Sequence, residues 1–143
     1  MPLYRQQWDR AALRIRKAKQ ILPDDPVLLS LEALLMAKGG EKRKTSKAIQ
    51  KALRGGKSVS HTHHTLHNAA AACALIGKSD RAITLLREAG RTGLPNYQLF
   101  RDDPHFESLR QHSRFVRLPA DLKREWESYG KEFGGPSGPT VSK

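Results

Sequence analysis

The stretch from Leu66 to Leu94, LHNAAAACALIGKSDRAITLLREAGRTGL, leaves the chain the fewest choices. Leu66, Ala69, Ala70 and Cys73 recur at i, i+3, i+4 and i+7, the spacing of one apolar helical face. Gly77 predicts a stop and a turn, because glycine readily takes the left-handed conformation that closes a helix. Asp80 then suits the opening of a second helix, in which Ala82, Leu86 and Ala89 return to one face. A turn this short folds the two helices against each other, and Ala70, Ala82 and Ala89 are small enough to let the backbones approach.

The same phrasing occurs earlier in the chain. Residues 4–22 place Trp8, Ala11, Ala12, Ile15, Ala18 and Leu22 on one stripe, with arginines and lysines opposite. Pro23-Asp24-Asp25-Pro26 ends that helix and opens the next, residues 27–38, which turns Leu29, Ala33, Met36 and Ala37 inward before Gly39-Gly40 break it. Residues 44–54 supply its partner, with Thr45, Ile49 and Ala52 standing where Ala82, Leu86 and Ala89 stand later. Ala11 to Thr45 is 34 residues and Thr45 to Ala82 is 37; the surplus of three is expected in the loop 55–60. Glu32 falls where an apolar residue is expected. Beyond Pro95, the residues Leu99, Phe100, Phe106, Leu109 and Phe115 read as a capping segment. Pro119 is expected to start a last helix with Leu122, Trp126, Tyr129 and Phe133 inward. Residues 134–143 read as a disordered tail.

Net charge is +12 and unevenly placed: residues 1–60 carry 14 Lys/Arg against 5 Asp/Glu, or +9, and residues 61–143 carry 12 against 9, or +3. The densest tract is Lys38 to Lys57, with Lys42, Arg43, Lys44, Lys47, Lys51 and Arg54 as a basic patch and Glu41 as its one acid. Such a strip suits phosphate. With no aromatic residue interleaved to stack on bases, the solvated outer face of one helix is the preferred reading here.

His61, His63, His64 and His67 form a cluster in which pairs at i, i+3 and i+4 share a helix face, a spacing that suits zinc or nickel. No carboxylate or thiolate falls at ligand spacing beside them, so no metal is expected. No Gly-rich phosphate loop, GxSxG or HExxH is present. The lone cysteine, Cys73, lies on a packed face and reads as a small core residue. These features predict neither enzyme nor cofactor. No apolar run approaches the roughly 20 residues that span a bilayer, and the start MPLYRQQWDR lacks the apolar core of a signal peptide; a cytoplasmic protein with no membrane partner is expected.

The order of large and small positions resembles a tetratricopeptide repeat, a 34-residue helix–turn–helix unit. From His63-His64-Thr65 onward, through Asn68 to Leu75, Gly77, Ala82, Leu86, Gly93-Leu94-Pro95, Tyr97, Leu99-Phe100, Asp103-Pro104, Leu109-Arg110, Arg114-Phe115, Leu122-Lys123 and Trp126-Glu127, the chain resembles the closing segment of tetratricopeptide arrays in bacterial signalling and regulatory proteins. Asn96 and Ser113 depart from that pattern, standing where cysteine and proline are usual. The resemblance implies an all-α, right-handed helical solenoid of six or seven helices in antiparallel pairs, without a sheet. Its helical domain is residues 1–133: a partial repeat 1–25, repeats 26–59 and 63–96, and a capping segment 97–133. It further implies a protein-interaction scaffold, the carboxy-terminal part of a larger signalling or regulatory protein, holding a peptide or protein in a concave groove lined by His64, His67, Asn68, Ala71, Ala74 and Leu75. The ligand expected from the charge is acidic. Nucleic acid through the basic half is the rival, and the apolar stripe of the first helix, which lacks a preceding mate, predicts self-association.

Overall fold

The computed structural model describes residues 2–55, 59–92 and 102–132, and all of its regular structure is helical. Six α-helices occur among these residues: α1 Pro2–Ile21, α2 Pro26–Lys38, α3 Lys42–Gly55, α4 Val59–Leu75, α5 Ser79–Thr92 and α6 Ser113–Glu132, with a 3-10 helix, Pro104–Leu109, between the last two. No strand is present among them.

The two central hairpins are built to one plan. In each, an inner helix ends in a turn whose glycine has positive φ, +81° at Gly40 and +87° at Gly77. In the first turn the Gly40 and Glu41 amides donate to Ala37 and Met36; in the second the Gly77 and Lys78 amides donate to Ala74 and Cys73. These paired bonds close the orphan carbonyls of a helix end. The following helix then starts on the carbonyl of Glu41 or Lys78. Gly40 and Gly77 lie 37 residues apart, and so do the buried pairs Leu29/Leu66, Ala33/Ala70, Ala37/Ala74, Thr45/Ala82, Ile49/Leu86 and Ala52/Ala89. The core is therefore one motif used twice, α2–α3 and α4–α5, with α4 packed on α2. Of the loop 55–60 expected to hold the surplus of three residues, Gly55 belongs to α3 and Val59 and Ser60 belong to α4, while residues 56–58 lie outside the described residues.

Buried polar residues are answered inside this frame. Thr45 Oγ1 donates to the Glu41 carbonyl at 2.7 Å, and Ser30 Oγ donates to the Val27 carbonyl at 2.7 Å while accepting from Asn68 Nδ2 at 3.1 Å. Glu32, the misfit of the apolar pattern, receives Lys19 Nζ of α1 at 2.8 and 2.9 Å. With Lys38 over Trp8, that pair runs α1 antiparallel to α2. The stripe of α1 is only half-covered: Trp8, Ala11, Ala12, Ile15 and Ala18 are partly buried, and Leu22, just past the helix, is 56% exposed.

At the other end α6 lies along α5. Arg114–Asp80, Arg87–Asp121 and Arg91–Glu125 are each 34 residues apart, a constant separation that makes the two helices parallel. Gly90 makes the approach possible, because a Cβ there would stand 2.6 Å from Leu122 Cδ1. Two expectations fail in this helix. It begins at Ser113, so Pro119 sits inside it and not at its start. A mid-helix proline costs about 3 kcal/mol, but the preceding turns bury Phe115 and Leu118, each worth about 1.5–3 kcal/mol. Trp126, expected inward, is 55% exposed: the inward stripe is Phe115, Leu118 and Leu122, and it has run out by that turn. Leu99, Phe100, Phe133, the Tyr129 side chain and the tail 134–143 lie outside the described residues.

Candidate functional site

Two Asp-Pro steps position the site. Asp25 and Asp103 take extended backbone angles and their carboxylates accept from the amides of Leu28, at 3.0 Å, and His105, at 2.9 Å. Each is followed by a proline at the first helical position, where the missing N–H costs nothing. The second step starts the 3-10 helix and lays it against α4. There the Ser108 hydroxyl donates to the Ala74 carbonyl at 3.4 Å, and Phe106 and Leu109 enter the core.

Asp103 is the hub of this closing turn. Its Oδ2 lies 2.9 Å from His67 Nε2 and its Oδ1 lies 2.8 Å from His105 Nδ1. A carboxylate only accepts, so both rings present an N–H to it. The His67 ring also meets Phe106 edge-on at 5.3 Å, and Arg110 Nη2 donates to the Asp103 carbonyl at 3.2 Å. Burial opposes ionisation of Asp103, but the hydrogen bonds from His105 and His67, with the His105 amide and ring charge, hold its carboxyl far below the usual carboxylate range.

Beside this hub an open cleft of about 810 Å³ lies between α1, the carboxy-terminal ends of α2 and α4, and the 3-10 helix. Trp8, Leu35 and Leu75 supply apolar wall; Lys38, Asp9 and His105 supply polar rim. The Lys38 ammonium sits 3.6 Å from the Trp8 ring centroid, a cation–π contact. Burial lowers the Lys38 pKa, and the charge of Asp103 works against that.

The predicted groove residues divide sharply. Leu75 lines the cleft and is 39% exposed. His64 is exposed. His67 is engaged by Asp103, and Asn68 by Ser30. Ala71 and Ala74 are buried, so they offer a ligand no surface. The predicted basic patch is all on the outside: Lys42, Arg43, Lys44, Lys47, Lys51 and Arg54 are exposed along α3. No group of three or more His, Cys, Asp or Glu side chains converges as a metal site among the described residues. Cys73 is buried, and burial pushes its thiol pKa up against the opposing charges of Arg81 and Lys78, away from the reactive thiolate.

Compared with protein-family models, curated proteins and solved structures, the chain finds no match. The functional reading therefore rests on the site itself.

Sequence reasoning missed Trp8, Lys38, Asp103 and His105 as partners. One signal was there: Lys38 and Leu75 are 37 residues apart, so they hold equivalent places at the ends of α2 and α4. The Asp103-Pro104-His105 step reads only as turn chemistry, since nothing local shows that His67 will meet it. None of the described helices is long and apolar enough to cross a membrane.

Proposed function

We infer that the chain is a tetratricopeptide-like interaction module that holds an extended peptide segment of a partner protein in the cleft beside Trp8, Lys38 and Leu75. The observation that carries this reading is the cleft itself. Its volume lies in the range of ligand sites, and it joins apolar wall to a few fixed polar groups. Leu75 and Trp8 are large apolar surfaces held by helices, and a peptide covering them removes that area from water at about 25 cal/mol per Å². The Lys38 ammonium gives the ligand an orientation, preferring a carboxylate or carbonyl oxygen near Trp8. The repeat resemblance is supported by two hairpins displaced by 37 residues and by α6 running parallel to α5, as successive outer helices do in stacked repeats.

The test is peptide display on the immobilised full chain, followed by affinity measurement on the Leu75→Glu and Lys38→Ala variants. Selected peptides should bind at least tenfold more weakly to Leu75→Glu, with acidic or carboxy-terminal peptides losing further on Lys38→Ala. Peptides that bind all three proteins alike, or no selection above background, would remove the cleft from the function.

A further inference from the structure

The outer face of α3 carries a dense row of exposed cations that the fold does not use. Arg43, Lys47, Lys51 and Arg54 follow one another at i+4, i+4 and i+3, which sets them on a single stripe about 16 Å long. All four are exposed, and no acid lies within ion-pair distance of them among the described residues. Among the described residues, Lys44 is the one cation of α3 with an ion-pair partner, Glu41 at 3.0 Å. Lys78, reaching from the α4–α5 turn to Ser46 Oγ at 3.0 Å, adds a cation beside the same helix.

The arrangement is locally unfavourable. Lys42, Arg43 and Lys44 crowd the first turn, where the helix dipole is positive; the turn itself holds no acid, and Glu41 just before it pairs only with Lys44. At the equivalent places of α5, 37 residues on, Arg43 and Lys51 are replaced by the acids Asp80 and Glu88. The fold thus accepts acids at both positions, and the cations that α3 carries there pair with no acid among the described residues.

We propose that this stripe binds the sugar–phosphate backbone of a nucleic-acid duplex, without reading its sequence. The kind of side chain decides the occupant. Interfaces with proteins centre on apolar and aromatic residues and are depleted in lysine, whereas every fully exposed residue of α3 whose side chain is described is Lys, Arg or Gln50. Lasting attachment to a bilayer needs apolar insertion beside the charge, and the apolar side of α3, Ile49 and Ala52, is in the core. Single-stranded nucleic acid is held by bases stacked on aromatic rings, and α3 has none. What remains matches backbone neutralisation by counterion release, which needs only regularly placed cations.

The experiment is fluorescence anisotropy of the full chain with 20-base-pair DNA and RNA duplexes of mixed sequence, each against its single strand and against polyglutamate of equal charge. Four backbone contacts give a slope of log affinity on log salt of about −0.9 each, or roughly 150-fold weaker binding at 200 than at 50 mM salt. The double variant Arg43→Asp/Lys51→Glu, which copies the charges of α5, should abolish duplex binding, while Leu75→Glu leaves it unchanged; this separates the stripe from the peptide cleft. Affinity for either duplex with that slope supports the proposal. Salt-insensitive binding, tighter binding of single strands or polyglutamate, or full binding by the double variant would overturn it.

Discussion

Helices α3 and α5 occupy the same place in two copies of one hairpin, yet they spend their outer faces differently. Both bury the same three positions, Thr45, Ile49 and Ala52 in one and Ala82, Leu86 and Ala89 in the other. Outside, α5 turns its arginines to structural use: Arg87 reaches Asp121 at 3.3 Å and Glu125 at 3.4 Å, and Arg91 meets Glu125 at 2.9 Å through two nitrogens. The Arg91 hydrogen bond outweighs the cost of burial and holds the Glu125 carboxyl below its usual range, with the charges of Arg91 and Arg87 adding to it. The cations of α3 have no such seam to fill. The inner face of a repeat helix is thus set by packing, while its outer face is open to whatever the next layer, or a ligand, supplies.

The sharpest way to break the equivalence is in the core. Leu86→Ala and Ile49→Ala should each destabilise by about 2–5 kcal/mol in chemical denaturation, because both side chains are buried in one cluster. A negligible cost at Ile49 beside a full cost at Leu86 would show that the first hairpin is not a structural copy of the second.

A smaller effect distinguishes the two inner helices. Ser30 in α2 and His67 in α4 are equivalent positions, and each links its helix to the next element, Asn68 or Asp103. Asp103 has a folded pKa depressed below the unfolded carboxylate value of about 3.9. Its contribution is therefore complete above that value and is lost as pH falls below it toward the folded value. Asp103→Asn should cost about 1–3 kcal/mol at neutral pH, and its stability profile should be flatter than that of the parent below about pH 4. Parallel acid limbs in the two proteins would mean that Asp103 does not anchor the closing turn.

The outer faces give the smallest changes, and they carry opposite signs. Arg43→Asp should raise stability by about 0.3–1 kcal/mol, since it replaces a cation with an acid at the dipole's positive end. Arg91→Ala should lower it by about 0.2–1 kcal/mol, a small figure because Arg91 is largely exposed and its pair is screened. Added salt should shrink both differences in thermal melts. A loss of stability in Arg43→Asp would show that the stripe has an internal role.

The legible part of the site followed from spacing. The exposed basic residues of α3 and the wall residue Leu75 could be named because helical period and repeat phase determine which way they point. Ala71 and Ala74 share that phase with an open face but are buried, and the closing turn packs on α4 through Phe106 and Leu109, which lie 32 to 38 residues further along the chain. Pro119 shows the same limit from the other side, since a local rule for helix starts gave way to the burial of Phe115 and Leu118 around it.

By itself the sequence determined the helical class, the inward residues of both hairpins, their glycine turns and the basic outer face. Each depends on interactions within a turn or two, on backbone conformation at Gly40 and Gly77, or on a period that any folded copy must obey. Tertiary structure alone decided that Lys38 would lie over Trp8, that His67 and His105 would share Asp103, and that Gly90 would receive Leu122. Those contacts join segments 30 to 36 residues apart wherever they cross elements. No local preference selects them: they form because the stacked hairpins bring their ends together, and burial there makes an unanswered charge or a void costly.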